Sequence, residues 1–282
     1  MNLRVVKFVL VFLLLVCPAI VIARPAQRIV ALAPNLTEIV FAVGAGKKLV
    51  GVSCFSDYPK AAKKIPVVAA CNDLDIEKII SLHPDLVLAW QGGNPSEQIN
   101  QLRKLGITVY AASFDKVTDI PKNILAIGKL VGTQTTAGKV SNKFMQNYLK
   151  LKNNYANKKP IKVFYELSWQ PLLTLNKKSM VGQVINLCGG KNIFAETSII
   201  APRVGLASVL AADPQLILVS KQAGFGDLAV KGWDDYPQLN AVKNHHVFTV
   251  DSVTLERPGP RILQAAQQVC VAVDMVRKKN NL

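Results

Sequence analysis

Acidic residues are scarce in this sequence: 18 Asp and Glu stand against 34 Lys and Arg in 282 residues, a formal charge of +16. Such an excess raises the question of an acidic partner or a negatively charged surface. The cations are mostly lysines in scattered pairs, among them Lys47-Lys48, Lys63-Lys64, Lys158-Lys159, Lys177-Lys178 and Lys278-Lys279. They lack the interleaved arginines and aromatics, and the zinc spacing, of a nucleic-acid reader, so a solvated basic surface is expected and nucleic acid is not. With three histidines and no Cys-x-x-Cys, a metal cluster has little to be built from, and no metal is expected. His245 and His246 precede a strand, where neighbours point opposite ways and do not readily share one ion. Also missing are a Gly-x-Ser-x-Gly elbow, a phosphate loop, a His-Glu-x-x-His helix and a Gly-x-Gly-x-x-Gly between strand and helix, so no enzyme is expected. Half of the residues are hydrophobic and 18% charged. That excludes a disordered or coiled-coil chain and supplies one large or two ordinary domains of roughly 100 to 150 residues each.

Beyond the first two dozen residues there is no apolar run long enough to cross a membrane, which takes about 20 residues. The first two dozen read as a secretory signal peptide over residues 1–23. Arg4 and Lys7 give a positive start, Phe8 to Val16 is uninterrupted and apolar, Pro18 breaks the run, and Val21-Ile22-Ala23 precedes a cut ahead of Arg24. Lipidation at Cys17 is the competing reading, disfavoured by Val16 immediately before it. The mature chain is thus expected to be exported and soluble, in a compartment that permits disulfides. Its four cysteines, Cys54, Cys71, Cys188 and Cys270, allow three pairings. A Cys188–Cys270 bridge would tie two helix-like segments across a loop of about 80 residues, roughly 4 kcal/mol on the chain-entropy model. Cys54 and Cys71 read as small buried hydrophobes, with a bridge between them or a metal-facing Cys71 as alternatives.

Short Val- and Ile-rich runs over 28–32, 49–53, 85–90, 107–111, 161–165, 215–220 and 246–250 predict strands covered on both faces. Amphipathic segments over 37–43, 76–82, 96–105, 182–188, 206–211 and 261–276 predict helices between them. The class is α/β with mainly parallel sheets. Residues 76–88 are echoed by 206–218 at a constant offset of 130, a helix stopped by Pro84 or Pro214 and followed at once by a buried strand. Between the halves, Val140, Phe144, Tyr148, Leu151 and Tyr155 form one stripe on a helix over 135–158, about 35 Å long. The expected organisation is an N-terminal α/β lobe over 24–134, the linking helix over 135–158 and a C-terminal α/β lobe over 159–282. A ligand cleft lies between the lobes, and the stiff link limits their hinge motion.

The run Arg28-Ile29-Val30-Ala31-Leu32-Ala33-Pro34-Asn35-Leu36-Thr37-Glu38, then Ser56-Asp57-Tyr58-Pro59, Pro84-Asp85-Leu86-Val87 and Gly92-Gly93-Asn94 follow one another in order. Further on come Cys188-Gly189-Gly190-Lys191-Asn192 and Pro260-Arg261-Ile262-Leu263 ahead of Cys270. Together, over residues 26 to 276, they resemble the periplasmic substrate-binding proteins of cobalamin ABC importers. Any one fragment also occurs in the siderophore, haem and metal binders of the same superfamily. The resemblance implies a monomer in the periplasm that carries cobalamin as transported ligand with no cofactor of its own. It implies partners in an inner-membrane permease dimer and its ATPase, and a disulfide between Cys188 and Cys270. It also implies a docking carboxylate at Glu77, whose counterpart in the second lobe falls on Ala207. A ferric siderophore or haem is the alternative cargo.

A corrinoid is a broad, mostly apolar macrocycle fringed with amides, and wants aromatic and aliphatic walls with a few polar groups. Trp90 ends a buried strand, followed by Gln91, Gly92, Gly93 and Asn94; two glycines permit close approach of a ligand. Phe55 and Tyr58 follow the second strand, Trp169 and Leu173 follow the strand ending near Tyr165, and Arg257 precedes the last helix. With Cys71, these are the expected ligand residues. The family pattern is broken at Cys71, Leu173 and Ala201, where it has aromatics, and at Val253, where it has an acid; three outcomes are open, a more weakly held ligand, compensation by nearby groups such as Trp169 or Phe225, or a different corrinoid or macrocycle as cargo.

Overall fold

The structure, a computed structural model, describes residues 24–70, 73–221, 230 and 232–279. The predicted signal peptide, with Cys17, therefore lies outside the described residues. The first sheet is built from β1 (Ile29–Ala31), β2 (Leu49–Ser53), β3 (Val67–Ala69), β4 (Leu86–Trp90) and β5 (Val109–Ala112), all parallel, in the order β3-β2-β1-β4-β5. Its helices are α1 (Pro34–Ala42), α2 (Ile76–Ser81), α3 (Ser96–Lys104) and α4 (Asp119–Leu130). The long α5 (Gln134–Tyr155) leads to the second sheet: β6 (Ile161–Glu166), β7 (Gly190–Asn192), β8 (Leu216–Ser220) and β9 (Val247–Val250), again parallel, in the order β7-β6-β8-β9. Around it lie α6 (Met180–Leu187), α7 (Leu206–Ala212), α8 (Asn240–Lys243), α9 (Ser252–Leu255) and α10 (Ile262–Lys279).

Side chains that alternate along a strand explain why the strand sequences are apolar throughout. Ile29, Ala31, Leu86 and Leu88 enter one core, while Val30, Leu32, Val87 and Ala89 enter another beneath α2 and α3. In the second sheet Val163, Tyr165, Leu216 and Leu218 likewise face one side, and Phe164, Ile217 and Val219 the other. The first of these cores is continuous across the molecule. It runs from β1 and β4 through Ile39, Ile120, Phe144 and Leu151 to Ile262, Val273 and β6, so the two lobes are joined by packed helices as well as by chain. The disulfide Cys188–Cys270 pins the end of α6 to α10, with Cα atoms 4.5 Å apart.

The repeat at offset 130 has a structural counterpart down to single hydrogen bonds. His83 and Asp213, each before a proline, both adopt the left-handed conformation, with φ of 46° and 45°. Asp85 accepts from the backbone N–H of Gln27 and Arg28 at 2.7 and 2.9 Å, and its own N–H donates to the Arg28 carbonyl. Gln215 stands in its place in the second lobe, accepting from the Lys162 N–H at 3.0 Å and donating to the Lys162 carbonyl. Each helix-Pro-strand junction thus clamps the start of its sheet's central strand.

β3, β7, α4, α8 and α9 fall outside the segments that the sequence pattern predicts. Gly190-Lys191-Asn192 carries no apolar pattern. For α4 the spacing of Ile120, Ile124, Ile127 and Val131 was legible, and Pro121 sits harmlessly in the first turn.

Candidate functional site

In an open parallel sheet the ligand crevice lies beyond the carboxyl ends of the strands, where successive connections part to opposite sides. Here that point falls between β1 and β4 in the first lobe, and between β6 and β8 in the second. A cavity of about 750 Å³ opens between the two edges. Trp90, Phe114, Asp115 and Lys116 wall it from the first lobe, and Leu167, Leu175, Met180, Val181, Ile200 and Glu256 from the second.

Trp90 is the last residue of β4 and stands half-buried, edge-on against Phe114 with ring centroids 6.4 Å apart. Asn94 fixes the turn beyond it. Its Oδ1 accepts the Trp90 N–H at 2.7 Å and its Nδ2 donates to the Leu32 carbonyl at 2.9 Å, so one side chain ties the ends of β4 and β1. The glycines serve this turn first: Gly92 has φ of 83°, and a Cβ on Gly93 would lie 2.4 Å from the Trp90 ring. Gln91 and Gly92 line a smaller pocket of about 290 Å³ beside Trp90 rather than the main cavity.

Phe55 projects into solvent, 71% exposed, from a left-handed residue after β2, with Tyr58 46% exposed nearby in sequence. Exposed apolar side chains also follow β7, at Ile199 and Ile200, and β9, at Val253. Of these, Ile200 lines the main cavity. Trp169 is half-buried and packs edge-on against the fully buried Trp233, 5.1 Å between centroids, as part of the second lobe's outer core. Leu173 is half-buried and bridged to Ser168 and Arg203. Ala201 is exposed. Cys71 and Phe225 lie outside the described residues.

Arg257 points to the opposite lobe. Its guanidinium donates to Glu38 Oε1 at 2.8 Å, to Asp57 Oδ1 at 3.2 Å and to the Phe55 carbonyl at 3.3 Å. Arg261 grips both oxygens of the same Glu38, Nε to Oε2 at 2.9 Å and Nη2 to Oε1 at 2.7 Å, while its guanidinium lies 3.8 Å from the Tyr58 ring centroid. Glu38 is only 3% exposed, so a buried acid on α1 is shared by two arginines from the other lobe. Arg257 is a candidate from sequence alone, whereas the latch is not, because its partner is 219 residues away.

Glu256 immediately precedes Arg257 in the chain and lines the cavity. Its Oε1 accepts from the Tyr165 hydroxyl at 2.7 Å and the Ser220 hydroxyl at 3.2 Å. Burial raises its pKa, with the two hydroxyl donors opposing the shift. Burial likewise holds the Tyr165 phenol well above its ordinary value, reinforced by the adjacent Glu256 charge. Among the described residues no group of three or more His, Cys, Asp and Glu side chains converges as a metal site requires. Glu77 is exposed in the first turn of α2, which Asp75 caps through the Lys78 N–H; Ala207 is exposed at the matching place on α7.

The model of the family described as periplasmic binding protein matches residues 29–254. The vitamin B12-binding protein of Vibrio cholerae serotype O1 is 38% identical over 255 residues, covering 90% of this chain and 92% of that one. The crystal structure of the periplasmic vitamin B12 binding protein of Vibrio cholerae superposes with a TM-score of 0.83 over 90% of this chain and 99% of that chain, at 38% identity. A periplasmic haem-binding protein from Roseiflexus shares the fold at 24% identity, with a TM-score of 0.78, 89% of this chain and 99% of that one covered.

Proposed function

The chain belongs to the periplasmic binding protein family, and from that premise we propose that it captures cobalamin between its lobes and hands it to an inner-membrane ABC importer. The observation that carries the reading is the cavity of about 750 Å³, walled by Trp90 and Phe114 on one side and aliphatic side chains on the other. It suits a broad apolar macrocycle. The exposed Phe55 and Tyr58 extend the first wall; Trp169, Gln91 and Gly92, at loops beyond the strand ends, and Cys71 and Leu173, at wall positions of the family pattern, complete the proposed ligand contacts. In this account the lobes are residues 24–134 and 159–282 and the link is 135–158. A signal peptide is cleaved near Ala23, and the mature protein works as a monomer with no cofactor of its own.

Glu77 is the docking carboxylate toward the permease dimer, which its ATPase drives. With Ala207 opposite, docking is asymmetric in charge. Exposed ion pairs are worth under about 1 kcal/mol, so Glu77 acts on encounter rate and salt dependence. Titration of the mature protein with cyanocobalamin, followed by tryptophan quenching and calorimetry, tests the cargo. Saturable one-to-one binding at micromolar ligand or below is expected. Binding of haemin or a ferric siderophore without binding of cyanocobalamin would replace this reading with the alternative cargo.

A further inference from the structure

Between Asp119 and Glu166 the chain passes through nine lysines and no acid. This stretch spans most of α4, the whole of α5 and nearly all of β6, so a positive excess that looks scattered in the sequence is concentrated on the strut. Lys139, Lys143 and Lys150 stand on α5 at steps of four and seven, hence on one helix face, over about 16 Å. All three are exposed, and none forms an ion pair among the described residues. Beside the stripe, a groove of about 520 Å³ runs between α5 and α10. Phe144 and Leu263 give it an apolar floor, while Lys143 and Lys150 share its rim with the carboxamides of Asn147, Gln264 and Gln267. No acid lines it. The acid of α10, Asp274, is already shared by Lys158, Arg277 and Lys278.

We propose that this α5–α10 face docks on the phosphate headgroups of an anionic bilayer, so that the carrier searches for its importer along a plane. A protein partner is usually gripped by aromatic and arginine anchors, and lysine is depleted from such interfaces. This face offers lysines and carboxamides, and none of the aromatics on α5 is exposed. Lysine suits a diffuse layer of phosphates, because a compact charge on a flexible stem demands no fixed geometry of its acceptor. Carboxamide N–H groups add donors to phosphate oxygens. The groove shares no residue with the main cavity, and α2, which carries Glu77, packs on the other side of the first sheet. Membrane contact therefore leaves the cleft and the proposed docking acid uncovered, and the inference stands whatever the cargo is.

The test is cosedimentation of the mature protein with vesicles of phosphatidylcholine, and with vesicles in which about a third of the lipid is phosphatidylglycerol, at about 0.05 M and about 0.3 M salt. Binding is expected to the anionic vesicles alone, and to weaken by about tenfold or more at the higher salt. A triple variant, Lys139→Gln with Lys143→Gln and Lys150→Gln, should lose on the order of a hundredfold in partition, since each lysine near such a surface contributes roughly fivefold. Arginine at the same three positions should retain binding. A matched variant that removes the same charge from exposed lysines of the first lobe, Lys63→Gln with Lys64→Gln and Lys104→Gln, should lose less than about tenfold. Thermal unfolding and cyanocobalamin titration of the variants should match the wild type, which separates a lost surface from a lost fold. Equal binding to both kinds of vesicle, binding to neither, or equal losses in the two glutamine variants would overturn the proposal. So would capture of a polyglutamate peptide without capture of vesicles, which would give this face to an acidic protein.

Discussion

Glu166 is a buried carboxylate that forms no ion pair among the described residues. At the end of β6, 1% exposed, it accepts the Trp233 indole N–H on Oε2 at 2.6 Å, and burial raises its pKa to about 7 against an ordinary 4.5. The folded protein therefore keeps a proton that the unfolded chain has released between those values. Stability falls as pH climbs through that window and levels off above about 7. Glu166→Gln keeps an oxygen for Trp233 and removes the titration. Its urea midpoint should fall less than that of the wild type between about pH 5 and pH 8, a relative gain of up to about 3 kcal/mol at the higher pH. Trp90 carries the cleft wall, and Trp90→Ala should weaken cyanocobalamin binding by roughly ten- to a hundredfold in calorimetry without lowering the unfolding temperature comparably. Trp90 was legible because a tryptophan ending an unbroken apolar run belongs at a sheet's carboxyl edge. Glu256 was not, since nothing local distinguishes a cavity-lining acid from a solvated one.

Between residues and molecule stands the repeated helix-Pro-strand junction. Its periodicity was visible in residues 76–88 and 206–218; the reason for its form, a side chain at position 85 or 215 reaching back to the start of the central strand, required coordinates. Asp85 satisfies two backbone N–H groups and Gln215 one. At about 1 kcal/mol for each exposed bond, Asp85→Ala should lower stability by roughly twice as much as Gln215→Ala in denaturant titrations. Equal losses would show that the junctions are held by their prolines and left-handed turns instead. The long α5 was foreseen over nearly its full span. Its buried face is set by Ala137, Ser141, Phe144 and Leu151, with Val140, Tyr148 and Tyr155 packed at its margins. A stripe read from large side chains alone misses Ala137 and Ser141, whose small size lets α4 approach; the Ser141 hydroxyl donates to the Pro121 carbonyl at 3.3 Å.

For the whole molecule, the apolar core shared by both lobes and the Glu38 latch oppose wide opening. Glu38→Ala leaves two arginines facing each other without their acid. Breaking a buried pair in this way costs about 3 to 5 kcal/mol. Part of that cost should appear as a broader distribution of interlobe distances between spin labels on α2 and α7, with Glu38→Gln intermediate. A narrow, unshifted distribution in Glu38→Ala would assign the lobe arrangement to the apolar core alone.

The sequence by itself determined the class, two parallel α/β units and the stiff helix between them, because buried strands and amphipathic helices depend on neighbours a few residues away. It also marked Trp90 and the disulfide partners. Only the tertiary structure decided that Arg257 serves a latch, that Gly93 makes room for an indole and that Glu256 faces the cleft. Those roles depend on which groups meet across separations as long as 219 residues, and the chemistry of a side chain does not reveal whom it will face until the sheets have brought their edges together.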